Sequence, residues 1–203
     1  MFELSQINRD LFELLNCHSS PIVDTLALWF TTLFSFEWAW LYAAPYALWV
    51  FLKNTSDRVT LNDARGLARW KQWSFFVGSL AITMGITGVL KLFFNAPRPL
   101  EVLGPSIHIV GTPQHWHSFP SGHAALAGMA LALFWRHCNA YGKAGLIGGL
   151  VSMIYARVLM GAHFPLDVLA GAFIGLSGPT VTRHLSSLVL DRKLARKRRA
   201  AYN

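Results

Sequence analysis

From Gln72 to Leu90 the chain carries no charged residue and is rich in Phe, Leu, Ile and Val, a run long enough to cross a bilayer as one helix. The rest of the chain repeats the theme. Of 203 residues, 53% are hydrophobic and 14% charged, where a soluble domain carries roughly 25% charge. The formal net charge of +8, from 18 Lys and Arg against 10 Asp and Glu, invites a nucleic-acid reading. That reading fails because the charges are confined between long uncharged stretches. Disorder, a disulfide scaffold and a soluble enzyme fit equally poorly, and two cysteines, Cys17 and Cys138, are too few for a disulfide framework. A single membrane-embedded domain over 1–203 is expected, with no nucleic-acid partner.

Six apolar segments stand out, at about 21–36, 38–52, 73–94, 121–137, 143–161 and 165–189. The expected fold is all-α, an integral membrane bundle of six transmembrane helices. Only Glu37 and its neighbours separate the first two segments, so one tilted span with an outside N-terminus competes with two. Ahead of them, Leu4, Ile7, Leu11 and Leu14 fall at helical spacing, which reads as an N-terminal amphipathic interfacial helix over 2–16, with a helix packed on the bundle as the alternative. The first residues mix Glu3, Arg9, Asp10 and Glu13 with apolar residues, unlike a cleavable signal peptide.

The positive-inside rule orients the bundle. Lys53, Arg58, Arg65, Arg69 and Lys71 lie in one link, Arg136 and Lys143 in another, and Arg192 to Arg199 in a basic tail over 191–203. Six spans with both termini cytoplasmic place all of these on one side, along with Arg9. The tail is then a topology anchor able to bind anionic lipid heads. Small residues at four-residue spacing, Ala124/Gly128/Ala132 and Gly171/Gly175, permit close helix approach.

Three cations remain near the opposite face: Lys91, Arg98 and Arg157. Charge near a membrane site is costly and its default reading is functional. Each lies beside chemically competent residues. Lys91 and Arg98 bracket the exit from the third span, which Pro97 and Pro99 stiffen. Pro120-Ser121-Gly122-His123 opens the next span, where unpaired backbone N–H groups and the positive dipole end suit an anion. Gly122 allows close backbone approach, and Ser121 can cap the helix or donate to a ligand. His163 stands just ahead of Pro165, with Asp167 in the following first turn. A carboxylate there could take the Nδ1 proton of His163 and leave Nε2 free as a nucleophile. His123 could protonate a leaving oxygen. Three cations suit a phosphate or diphosphate, whose transfer is catalysed by positioning and charge stabilisation.

At these residues the sequence resembles the type 2 phosphatidic acid phosphatase family. The family pattern Lys-x6-Arg-Pro, Pro-Ser-Gly-His and Ser-Arg-x5-His-x3-Asp reads here as Lys91…Arg98-Pro99, Pro120-Ser121-Gly122-His123 and Ala156-Arg157…His163…Asp167, over 91–167. One position departs, with Ala156 in place of the family Ser. The resemblance implies metal-independent hydrolysis without a cofactor. In it His163 attacks phosphorus and Asp167 orients it, while His123 protonates the leaving group. Lys91, Arg98, Ser121, Gly122 and Arg157 hold the phosphate oxygens. It implies a phosphorylated lipid as substrate, undecaprenyl diphosphate first, with phosphatidic acid, phosphatidylglycerol phosphate and lipid A 1-phosphate as alternatives. A lipid phosphotransferase would share the same site. The expected location is a bacterial inner membrane with the site facing the periplasm or exterior. Two other readings compete. His108, His115 and His117 could hold a metal, although Glu101 is their only acidic neighbour and Trp116 reads more simply as an interfacial anchor. A transporter would need polar residues through the midplane, whereas the chemistry here gathers at one face.

Overall fold

In the computed structural model the described residues are 6–16, 20–33, 35, 48, 52 and 64–202, with side chains left aside at 64–69 and 190–202. Among them the only regular elements are helices: α1 (Gln6–Leu15), α2 (Pro21–Leu33), α3 (Ala64–Phe94), the short α4 (Pro99–Leu103), α5 (Gly122–Phe134), a 3-10 turn (Trp135–His137), α6 (Ala140–Leu159) and α7 (Pro165–Tyr202). The all-α expectation holds. The expected span over 38–52 falls almost wholly outside the described residues. Two segments, Trp70–Leu103 and Ala140–Leu159, are by themselves long and apolar enough to cross a membrane, so six such helices are not found among the described residues.

Local chemistry sets the helix ends. Helix α3 stops where Pro97 and Pro99 withdraw backbone donors, and Pro99 then opens α4 with Arg98 as its N-cap. Gly104, at φ 77°, closes α4 in a conformation that favours glycine. Helix α6 begins at Asn139, whose side chain accepts from the Gly142 amide at 2.9 Å. It ends at Gly161, at φ 68°, where a Cβ would collide with the His108 carbonyl.

Glycines let α5, α7 and α3 approach at backbone distance. A Cβ at Gly171 would meet the Ser121 backbone, one at Gly175 the Ala125 and Met129 backbone, and one at Gly128 the Ala172 carbonyl. Further along the same face of α7, Gly178 lies against Thr83 and Gly78 of α3 against Thr182. The expected small-residue rows are therefore the seam that lays the start of α5 beside the start of α7. Helices α3 and α7 run antiparallel: the Arg183 guanidinium sits over the Phe75 ring at 5.7 Å, while Lys91, far along α3, shares a pocket with His163, just ahead of α7.

Helix α1 docks at the end of the bundle that holds His163. Phe12 and Phe164 pack with ring centroids 5.2 Å apart, in a core with Ala124, Val158, Val168 and Ala172. Asn8 Oδ1 accepts from the Leu166 amide at 3.0 Å, capping a donor in the first turn of α7. The Asn16 amide donates to the carbonyls of Leu159 at 2.7 Å and His108 at 2.8 Å, and its oxygen accepts from the His108 amide at 2.9 Å. Helix α7 runs away from this end for 38 residues, about 57 Å at 1.5 Å per residue. The described chain thus starts at one end of the bundle and finishes at the other. Asn8, Phe12 and Asn16 tie α1 to the end of the bundle from which α7 runs away.

Candidate active site

One cavity of about 420 Å³ at this end is lined by Lys91, Arg98, Gly122, His123, Arg157 and His163, with Leu28, Thr31 and Thr32 of α2 and the loop Ile109–Gln114 forming other walls. Six of the eight site residues expected from sequence meet in it. The other two, Ser121 and Asp167, stand behind the wall.

The cations are held by a loop. Lys91 Nζ donates to the His117 carbonyl at 2.5 Å, and His117 Nδ1 approaches the Lys91 carbonyl at 3.2 Å. Arg98 Nε donates to the Trp116 carbonyl at 3.0 Å and Nη1 to the Ala162 carbonyl at 3.1 Å. These bonds fix both head groups without neutralising them, because their acceptors are backbone carbonyls. Arg157 is 9% exposed, and its Nε has no hydrogen-bond partner among the described residues.

Ser121 is the N-cap residue of α5, yet its side chain makes no capping bond, and Oγ is buried without a partner among the described residues. Of the two roles open to it in the sequence, capping is not taken. A buried, unsatisfied hydroxyl is costly, and here it stands at the positive end of a helix dipole beside three cations. That combination favours an anion.

His163 is almost fully buried in the link between α6 and α7, with its amide on the Arg157 carbonyl at 3.3 Å. Burial first, then Arg98, Arg157 and Lys91, holds its imidazole well below the ordinary histidine range. The ring is therefore neutral and competent as a nucleophile. The Asp167 carboxylate is placed differently from expectation. Its Oδ2 lies 3.8 Å from His163 Nδ1, beyond a direct hydrogen bond. It accepts instead from Ser118 Oγ at 2.5 Å and from the Phe164 amide at 2.9 Å, while Ser118 Oγ stands 3.5 Å from His163 Nδ1. Ser118 thus lies between carboxylate and imidazole. Sequence reasoning missed it, because the only available signal was a hydroxyl just ahead of Pro120-Ser121-Gly122-His123.

The histidines of the intervening loop go to separate partners. His108 Nε2 pairs with Asp24 Oδ1 at 3.0 Å, His115 Nδ1 with Glu101 Oε2 at 2.9 Å, and His117 with Lys91 as above. Among the described residues no three His, Cys, Asp or Glu side chains converge as metal ligands.

Three cations, two imidazoles and a helix N-terminus around one cavity define a site for phosphoryl chemistry. Residues 72–188, more than half of the chain and all three motifs, match the PAP2 superfamily, and the chain belongs to that family. As a member it is a hydrolase of phosphoester bonds. It is 26% identical over 169 residues to an undecaprenyl-diphosphatase of Sulfolobus acidocaldarius, covering 83% of this chain and 73% of that protein. The crystal structure of Aquifex aeolicus LpxE superposes with a TM-score of 0.72 at 26% identity, covering 91% of this chain and 99% of that one. A transmembrane PAP2-type phosphatidylglycerolphosphate phosphatase from Bacillus subtilis shares the fold at TM-score 0.66 and 16% identity, over 93% and 89% of the two chains.

Proposed function

We propose that this protein is an integral membrane lipid phosphatase that hydrolyses a phosphomonoester or diphosphate of a lipid through a phosphohistidine, with undecaprenyl diphosphate as its first substrate. The observation that carries the reading is the set of donors at one cavity: Lys91 with the buried Arg98 and Arg157 in its wall, and the buried Ser121 hydroxyl behind it, with Ser121 Oγ and Arg157 Nε unpartnered among the described residues. A phosphoryl group supplies the acceptors such donors need. The similarity to an undecaprenyl-diphosphatase supports the substrate class.

The chemistry follows from the layout. Nε2 of neutral His163 attacks phosphorus as the P–O bond to the leaving group breaks, and His123 gives that oxygen its proton. Asp167, through Ser118, holds the Nδ1 side of His163 and offsets the charge the ring gains. Lys91, Arg98 and Arg157 with the Gly122 backbone stabilise the equatorial oxygens. Water, losing its proton to His123, then attacks the phosphohistidine, and inorganic phosphate leaves. No metal or other cofactor has a place in this scheme. The site faces the periplasm or cell exterior of a bacterial inner membrane, with the basic tail on the cytoplasmic side.

Phosphate release by detergent-solubilised protein and by His163→Ala tests the reading, with undecaprenyl diphosphate, phosphatidic acid and phosphatidylglycerol phosphate as substrates and EDTA throughout. Release by the parent protein alone, fastest from undecaprenyl diphosphate, is expected. Equal release by His163→Ala would remove the nucleophile, and loss of all activity with EDTA would remove the metal-independent scheme.

A further inference from the structure

Helix α1 divides into three faces. At about 100° per residue, Asn8, Phe12 and Leu15 fall within an arc of about 60°, and this is the face packed on the bundle. Ile7, Leu11 and Leu14 occupy a second arc, about 240–300° from Asn8, and are 70%, 43% and 72% exposed. Arg9, Asp10 and Glu13 occupy the third, at about 100–200°, and are exposed. A helix held by a protein on one face needs nothing further than a polar remainder if water surrounds it. Here the remainder is split into an apolar and a charged half, the division expected at a boundary between hydrocarbon and water.

Its position says which boundary. Asn8 caps Leu166, and from Leu166 an exposed apolar column, Leu166, Leu169 and Phe173, runs along α7 away from the site. Helix α1 is therefore docked at the head of that column. The next helix stays at the same end: Asp24 pairs with His108, and Thr31 Oγ1 lies 3.6 Å from Met160 Sδ, just past the end of α6. Its 13 residues rise about 20 Å, short of the roughly 30 Å hydrocarbon core. Helix α3 nonetheless arrives at the site from the far end, as Phe75 beside Arg183 shows.

We propose that α1 is a membrane-surface helix at the catalytic end of the bundle, with Ile7, Leu11 and Leu14 in the lipid leaflet from which substrate enters. Helix α1 then lies on the same side of the membrane as the site and opposite the basic tail, so that an odd number of crossings separates the two. The far-end cations Lys71, Arg136, Lys143 and the tail still share one side. Only Arg9 moves, and Asp10 and Glu13 flank it.

The test uses single-cysteine variants in a Cys17→Ser, Cys138→Ser background, labelled in intact cells with a membrane-impermeant maleimide. Glu13→Cys reports α1, Ser106→Cys the catalytic end, and Tyr141→Cys the far end. Glu13→Cys and Ser106→Cys are expected to label alike and Tyr141→Cys oppositely; Glu13→Cys labelling with Tyr141→Cys overturns the proposal. In vesicles containing nitroxide-bearing lipids, a fluorophore on Ile7→Cys should be quenched at least several-fold more than one on Glu13→Cys. Equal quenching at the two positions rejects the surface placement. Neither readout requires turnover, so a protein inactive on every lipid would still answer the question.

Discussion

Asp167 and His163 show how far single residues can be read from spacing. Both were legible, because a histidine ahead of Pro165 and a carboxylate in the next turn fall at a fixed separation. The hydroxyl between them was not, since a lone serine has no spacing signature and Ser118 comes from a segment 49 residues from Asp167. Ser118→Ala should lower kcat by about 10- to 100-fold, the scale of loss when a reacting group is misplaced by about an ångström, with KM little changed; Ser118→Thr should recover part of it. Steady-state kinetics on a detergent-solubilised substrate decide. The depressed pKa of His163 carries a sign. Its neutral form survives as pH falls through the ordinary histidine value of about 6.5 and is lost only below it. Histidine ¹⁵N spectra at pH 6 should show His163 neutral, and an imidazolium signal would contradict the burial argument. Ala156, where the family has serine, is buried and packs with Ala27 and Met160. Ala156→Ser should cost no more than a few-fold in activity, since a helical serine can bond the carbonyl one turn back.

Among the elements, the helices that place the site were the legible part. Pro165, the Pro97–Pro99 break and the small-residue rows each act through local sterics that sequence displays directly. Tertiary partners set what was not displayed. Asn8 caps α7 and Asn16 closes α6, although 158 and 143 residues separate the bonded pairs. The α5–α7 seam gives the element-scale prediction. Gly171→Ala places a methyl against the Ser121 backbone and must push the start of α5 away from α7. Activity should fall by at least about 10²-fold, the cost expected for a shift of about 1 Å in the reacting groups, with a lower Tm by thermal scanning. Gly145→Ala, on α6 with open space at its Cβ, should leave both unchanged. A Phe12→Ala cavity under Phe164 should destabilise by about 3–5 kcal/mol.

At the scale of the whole molecule, charge placement predicts one side for the links and the tail, and it says little about where α1 docks. The positive-inside rule counts cations in links, and Arg9 beside Asp10 and Glu13 gives it almost nothing to count. Three contacts, from Asn8, Phe12 and Asn16, carry that information instead. If α1 meets the leaflet beside the cavity, replacing Ile7, Leu11 and Leu14 together by serine should lower kcat/KM on lipid embedded in vesicles. The same variant should hydrolyse a water-soluble short-chain phosphate at the parent rate, and a comparison of the two substrates separates surface binding from chemistry.

Because α1 and the end of α7 occupy opposite ends of the bundle, the two chain ends are unequal as points of attachment. If α1 lies on the membrane surface as proposed, a reporter domain joined after α7 would sit remote from the cavity, in the compartment where the chain is made. One joined ahead of α1 would then have to be exported, and would crowd the mouth that lipid must reach. Fusions at the two ends should therefore differ in both fluorescence and activity.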